Sequence, residues 1–435
     1  MSRGKEQAEE FLRGNSMLSS QIDMESLCRS FVDEMERGLS GERSSLLMIP
    51  TYIEAKSAIP SNKPVIALDA GGTNFRAALV VFDDEKKPQI KGFRKSPMPG
   101  VKKKVSLGEF FAAIATTIGD LASESDAIGF CFSYPTEIIE SGDGRLLRFS
   151  KEIKAKEVEG QFIGENLNKA LMAMGAKRPK DIVIVNDTVT TLLAGMSAFA
   201  DRSFDSYIGF ILGTGTNCCY SEKNALITKL KNPKKTGEQV INIESGGFGA
   251  APHSPIDRAF DATTLNPGFY TFEKMISGAY LGGLFTAALR AAAEAGLFAG
   301  ATADAITSMD SLQTSEMGGF LTGVEGSVIR NLFVQDYERD IAFAIAEEIV
   351  DRAARLSATN LASIAIKTGK GCDPARPVLT AADGTTFYEL PDLRRKTLGY
   401  IDSFLREGHG QYMEFARMDN APLIGAAIAG LSRGA

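Results

Sequence analysis

The 435-residue chain has no tryptophan and only two histidines, His253 and His409. That scarcity excludes a histidine-rich metal site and argues against a Ser-His-Asp relay, so acid–base chemistry is expected from carboxylates or lysine. The five cysteines, Cys28, Cys131, Cys218, Cys219 and Cys372, are odd in number and include no Cys-x-x-Cys pair. They are expected to be reduced thiols of a cytoplasmic protein. No run approaches the roughly 18 apolar residues that suggest a membrane span, and the charged opening "MSRGKEQAEEFLRGN" does not read as a secretory signal. Excess positive charge is also missing: 48 Lys and Arg face 54 Asp and Glu, for a net charge of −6. Nothing in that balance pulls the chain toward nucleic acid or an anionic membrane.

What is present fits an ordinary globular protein, 44% hydrophobic and 23% charged, long enough for two lobes with separate cores. In "SLCRSFVDEMERGL" the residues Leu27, Phe31, Met35 and Leu39 recur every fourth position and predict one amphipathic helix within residues 1–57. From Val65 the pattern changes to short apolar runs, "VIAL", "FRAALVVF", "AIGFCFSYP" and "DIVIVND", each bounded by Gly, Pro, Asn or Asp. These read as buried strands. Helical patterns such as "GEFFAAIATTIGDLA" and "GENLNKALMAMGA" lie between them, which indicates an α/β protein with mixed sheets. After Asn266 the pattern is mostly helical, except for the apolar stretch "RPVLTAADGTTFY". The Gly/Ser/Thr-rich segment from about 296 to 330 reads only as a connection or insert. The lysine clusters at 102–104 and 231–235 read as solvated loops.

Two glycine turns carry the functional signal. Asp69, Gly71, Gly72, Thr73 and Asn74 separate two strand-like runs, and Gly213, Thr214, Gly215, Thr216 and Asn217 do the same in "SYIGFILGTGTNCCYSE". Glycine lets successive amides point into one anion-binding concavity. The segment after "DAGGTN" is strand-like, so the turn is a hairpin tip and neither a Walker A loop nor a Rossmann fingerprint. One such turn is equally well a plain tight hairpin, whereas two could clasp the phosphates of one nucleotide. Asp69 beside phosphate would be repelled unless Mg²⁺ or its waters lay between them.

The order of motifs resembles the hexokinase family, of the actin-like, sugar-kinase ATPase superfamily. The resemblance runs through "FVDEMERGLSGERSSLLMIPTYI", "LDAGGTNFR", "FSYP", "VNDTVTTL", "ILGTGTNCCY", "INIESGGFG" and "NPGFYTFEKMISGAYLGG", fades between about 296 and 340, and returns at "ADGTTFY" and "GAAIAGL". It implies an α/β protein of two lobes, each built on a ribonuclease-H-like mixed sheet flanked by helices, with sugar and Mg-ATP in the cleft between them. The smaller lobe is expected over 61–184, completed by 420–435, and the larger over 185–419, with residues 1–60 as a helical segment packed on the larger lobe.

The same resemblance assigns roles. Asp187 would take the proton from the sugar 6-hydroxyl, with Lys151 stabilising the transferred phosphoryl group. Ser133, Ser150, Lys151, Asn186, Asp187, Asn217, Glu244 and Glu273 would hold the hexose. Asp69, Gly71, Gly72, Thr73, Asn74, Arg76, Gly213, Thr214, Gly215, Thr216, Asp383, Gly384 and Thr385 would hold ATP, with Asp69 reaching Mg²⁺ through water. From local sequence alone, Asp187 or Thr188 is equally a helix cap, Glu244 a turn residue, Glu273 a solvated helix residue and Lys151 an ordinary surface lysine. The chain departs from the family pattern at Phe149 and Ser245, where tryptophan is usual, at Ser150 for threonine, and at "DNAPLIG" (419–425), where a Gly-Ser-Gly loop is usual. The expected activity is phosphorylation of glucose, with fructose and mannose as further candidates. A non-catalytic hexose sensor of the same fold is the main alternative, and an actin- or chaperone-like ATPase is a second.

Overall fold

The structure is a computed structural model that describes residues 2–54, 59–149, 153–231, 236–324 and 329–432. Two mixed sheets organise it into two lobes. In chain order the strands are β1 (Ile49–Pro50), β2 (Pro64–Ala70), β3 (Asn74–Phe82), β4 (Pro88–Pro97) and β5 (Ala127–Phe132), then a two-strand ribbon of β6 (Thr136–Ile138) and β7 (Gly144–Leu146). They continue with β8 (Asp181–Val185), β9 (Ser206–Leu212), β10 (Thr216–Lys223), β11 (Glu238–Asn242), β12 (Val378–Asp383) and β13 (Met413–Arg417). The smaller sheet has the order β4-β3-β2-β5-β8 and the larger β1-β11-β10-β9-β12-β13. In each, an antiparallel meander meets a parallel set, β2-β5-β8 in one and β9-β12-β13 in the other.

The apolar runs become strands covered on both faces. In β2, Ile66 and Leu68 join a core with Phe110, Ile114, Ile163 and Leu167 from the helices Leu107–Ile118 and Ile163–Ala173. Val65 and Ala67 point the other way, as the two-residue strand period requires. That second core contains Val183, Val189 and Leu192, Leu423 and Ala426 of the last helix, and Cys219 and Val240 of the larger sheet. The two lobes therefore share a core through the helices Asp187–Ala198 and Ala421–Leu431. Those two helices touch backbone to backbone, because a Cβ at Gly425 would lie 2.0 Å from the Thr190 carbonyl oxygen.

The expected helix is Met24–Ser40, with Asp23 accepting from the amides of Glu25 and Ser26 at its start and Gly41 left-handed (φ 83°) at its end. Leu27, Phe31, Met35 and Leu39 are all buried, and each contributes roughly 1.5–3 kcal/mol of apolar burial. A second N-terminal helix, Arg3–Gly14, was not expected, and it too packs on the 33-residue helix Asp336–Thr368. The segment read as a connection contains the helices Gly300–Ser308 and Thr314–Leu321. Strand β4 also went unpredicted: it lies at a sheet edge and is largely exposed, so its sequence lacks an apolar run. Lys102, Lys103 and Lys104 are exposed as expected, whereas residues 232–235 of the second lysine cluster lie outside the described residues.

Candidate functional site

The cleft chemistry gathers at the carboxyl ends of parallel strands, where an α/β sheet leaves backbone and side chains free to meet a ligand. Asp69 is the penultimate residue of β2, Ser133 follows β5, and Asn186 and Asp187 follow β8. Asn186 caps the helix Asp187–Ala198, its Oδ1 accepting from the Thr188 amide (2.9 Å) and the Thr188 hydroxyl (2.8 Å). The hydroxyls of Thr190 and Thr191 both donate to the Asp187 carbonyl at 2.8 Å. Asn186 is thus the N-cap, and Asp187 stands in the first turn with its backbone fixed and its Oδ1 also accepting from the Thr188 amide at 2.9 Å.

On the larger lobe the hydrogen bonds form a polar row. Asn217 Nδ2 donates to Asn242 Oδ1 (2.8 Å) and Glu244 Oε1 (3.0 Å), and reaches Asn186 Oδ1 at 3.5 Å. Its Oδ1 accepts from the amides of Cys218 (2.7 Å) and Ser245 (3.2 Å). Asn242 Nδ2 adds a bond to Glu244 Oε1 at 2.9 Å. Glu244 holds a left-handed backbone (φ 59°) and is buried. Burial pushes its carboxyl upward and the charge of Asp187 adds to that, while the bonds from Asn242, Tyr270 and Asn217 oppose it. Glu273, in the helix Thr271–Ile276, accepts from the Thr216 amide at 2.9 Å and so ties itself to the second glycine turn.

Both glycine turns are hairpin tips, residues 71–73 between β2 and β3 and residues 213–215 between β9 and β10. The first is pinned by the Tyr134 hydroxyl, which donates to the Gly72 carbonyl (3.2 Å), and by the Met98 amide, which donates to the Thr73 carbonyl (2.9 Å). Around the second, the Gly278 amide and the Thr386 hydroxyl both donate to the Gly213 carbonyl at 2.8 Å. Gly384, at φ 115°, lets the segment Asp383–Thr385 lie directly on this turn, since a Cβ there would sit 2.3 Å from the Leu212 carbonyl oxygen. Beside the turn opens a cavity of about 640 Å³ lined by Thr214, Ala279, Gln313, Ser315, Thr385 and Leu390, among others.

Asp69 is the cation candidate. Burial lifts its carboxyl to about 6 and Asp187 adds to the lift, while Arg76, whose Nη1 donates to Asp69 Oδ2 at 3.0 Å, opposes it. Among the described residues no three His, Cys, Asp or Glu side chains are grouped to hold a metal unaided. One buried, incompletely compensated carboxylate beside a phosphate-shaped turn suits Mg²⁺, which keeps several waters and arrives largely held by phosphates.

The structure therefore brings together Asp69, Ser133, Asn186, Asp187, Asn217, Glu244 and Glu273, with the two glycine turns and Asp383–Thr385 around them. Ser150 and Lys151 lie outside the described residues. Phe149, where the family pattern usually has tryptophan, packs edge-on to Tyr134 with ring centroids 5.0 Å apart. Ser245, the other such position, is fully buried, and its Oγ accepts from Asn360 Nδ2 at 3.4 Å. Sequence reasoning missed Asn242, Tyr270 and the cavity wall from the helix Thr314–Leu321. Only Asn242 left a usable signal, since it and Glu244 are two residues apart, on one face of a strand's extension.

Two family models, both described as hexokinase, match residues 9–197 and 207–432. Human hexokinase-3 is 31% identical over 381 residues, 81% of this chain and 39% of the relative. Mouse hexokinase-1 is 29% identical over 406 residues, 87% of this chain and 41% of the relative, so the chain spans about two fifths of either protein's length. The hexokinase-like 1 protein of Arabidopsis thaliana is 33% identical over 276 residues, 60% of this chain and 55% of that one. In fold the chain is similar to the glucose-complexed hexokinase of Schistosoma mansoni, with a TM-score of 0.79, 24% identity, and coverage of 99% of this chain and 100% of that one. With its two-lobed mixed-sheet fold and family matches over both halves of the sequence, the chain belongs to the hexokinase family.

Proposed function

We propose that the protein transfers the γ-phosphoryl group of ATP to the 6-hydroxyl of a hexose, glucose first among the candidates. The observation that carries this reading is the polar row from Asp187 through Asn186 and Asn217 to Glu244, adjoining Glu273 and the second glycine turn. Adjacent sugar hydroxyls both donate and accept, and a row of amides and carboxylates offers both functions. Asp187 orients the attacking hydroxyl and takes its proton. As the sugar oxygen bonds to the γ-phosphorus, the bond to the β-bridging oxygen breaks and ADP leaves. In such a loose transition state most of the catalysis is positioning and charge stabilisation.

The triphosphate lies between the two glycine turns, and the cavity beside Thr214 and Thr385 takes the nucleoside end. Asp69 is the residue that would hold Mg²⁺, and the cation would supply the positive charge that lets this carboxylate lie beside phosphate. Ser133 holds the sugar from the smaller lobe, and Ser150 and Lys151 are given the same task by the family resemblance alone. Lobe closure on the sugar excludes water, which would otherwise compete as acceptor.

The test is ADP release from Mg-ATP by the purified protein, with and without glucose, fructose or mannose. Release that depends on sugar supports the kinase and ranks its substrates. Sugar binding without any stimulated release makes the chain a sensor instead.

A further inference from the structure

Tyr270 has an unusual backbone. Its φ is 51°, in the left-handed region that a bulky side chain rarely occupies. Glu244, φ 59°, is strained in the same way, and the two side chains meet: the Tyr270 hydroxyl donates to Glu244 Oε2 at 3.4 Å. Such strain persists only where surrounding structure over-determines it, and it concentrates at ligand-handling positions. Tyr270 immediately precedes the helix Thr271–Ile276, so the same residue sets the approach to Glu273. Burial first, and the charge of Glu244 next, push its hydroxyl to about 12, which keeps it a donor at any working pH.

Tyr270 also has a partner from across the cleft. The guanidinium of Arg148, which precedes Phe149 in the smaller lobe, lies 5.4 Å from the centre of the Tyr270 ring, within cation–π range. Beyond this pair opens a cavity of about 740 Å³, lined by Glu244, Tyr270 and Arg148 together with Arg43, Ser45 and Phe269, among others. None of Asn186, Asp187, Asn217 or Glu273 lines it. Glu244 and Tyr270 thus stand where the polar row meets this larger space.

Resting on the hexose-kinase reading, we infer that Tyr270 is a specificity-determining residue. Its ring, steadied by Arg148 from the opposite lobe, walls off the end of the sugar remote from the reacting hydroxyl and rejects hexoses that carry a substituent there. The space for such a substituent exists behind the wall, so removing the ring relaxes specificity as well as weakening binding.

The experiment compares kcat/KM for glucose with that for two substituted probes, its 2-acetamido and its 1-O-methyl derivative. Three variants serve, Tyr270→Asn, Tyr270→Phe and Arg148→Ala. Asparagine suits the variant that removes the wall because it tolerates the left-handed backbone. In Tyr270→Asn the probe-to-glucose ratio should rise roughly ten-fold or more for at least one probe, the scale on which a pocket wall discriminates. Tyr270→Phe keeps the wall, so its ratio should stay within about two-fold of wild type while KM for glucose rises. Arg148→Ala, on an exposed side chain, should raise the ratio by about three-fold or more, and it carries the test alone if Tyr270→Asn does not fold. The inference is overturned if wild type uses both probes as well as it uses glucose. It is overturned equally if Tyr270→Asn, or Arg148→Ala standing alone, leaves both ratios unchanged. If wild type turns over no hexose, the kinase reading fails by itself, and the same ratios measured as equilibrium sugar affinities decide for or against the wall.

Discussion

Four carboxylates share the cleft, and what each touches separates their roles. Asp187 shares the Thr188 amide with Asn186, which also holds the Thr188 hydroxyl, so Asp187→Ala removes the proposed base and leaves the Asn186 cap in place. Asp187→Ala should lower kcat about 10²- to 10⁴-fold, the range for a lost general base, and leave sugar affinity within a few-fold. Steady-state rates paired with equilibrium glucose titration check this, and a loss of only a few-fold removes Asp187 from the role. Asp69 makes a prediction about stability. Its folded carboxyl titrates near 6, above the ordinary value of about 3.9, so ionising it in the folded state costs roughly 2–3 kcal/mol. That cost is fully present above about pH 6 and absent below about pH 4, where folded and unfolded forms are both protonated. Ligand-free Asp69→Asn should therefore exceed wild type in stability at pH 8, with the gap closing toward pH 4. Urea midpoints at the two pH values decide it, and a variant that loses ground at pH 8 contradicts the sign. At this scale Asp187, Asn217 and Glu244 were legible because each sits in a local motif. Tyr270 and Arg148 were not, because 122 positions separate them and only the fold makes them neighbours.

The helices Asp187–Ala198 and Ala421–Leu431 tie the site to the fold. The first begins with the candidate base and the second packs on it through Gly425. Gly425→Ala would place a carbon 2.0 Å from the Thr190 carbonyl oxygen, and neither backbone can yield locally. The substitution should cost at least about 1–3 kcal/mol, the usual price of overpacking, and should lower turnover by displacing the turn that carries Asp187. Denaturant midpoints and rates test both parts, and an unchanged midpoint would show that the helices are free to separate. The strands β2, β5 and β8 were readable as apolar runs because both faces are covered. Helix Thr314–Leu321 was hidden by its Gly, Ser and Thr content, which is what gives the neighbouring cavity its small polar wall. The altered "DNAPLIG" segment resolves into a left-handed Asn420 (φ 54°) followed by Pro422 in the first turn of the last helix. That is a compact helix entry made without glycine.

Across the whole molecule, two mixed sheets present the carboxyl ends of their parallel strands to one cleft, and a shared core of two helices joins the lobes beneath it. Sequence periodicity exposed the alternation of strands and helices, and the two glycine hairpins stood out as the turns between which the triphosphate is proposed to lie. Strand order and the contact between lobes were not readable, since both depend on pairings far apart in the chain. Sugar and phosphate contacts from both lobes would draw the cleft shut, so transfer to water should be slow until a hexose is bound. The most direct test of that account measures ADP and hexose phosphate together, by the pure protein with Mg-ATP and glucose, and identifies the phosphorylated position by NMR. The account predicts glucose 6-phosphate formed one for one with ADP, and little ADP without sugar. ADP release indifferent to glucose, or glucose bound with no phosphate transferred, would contradict it.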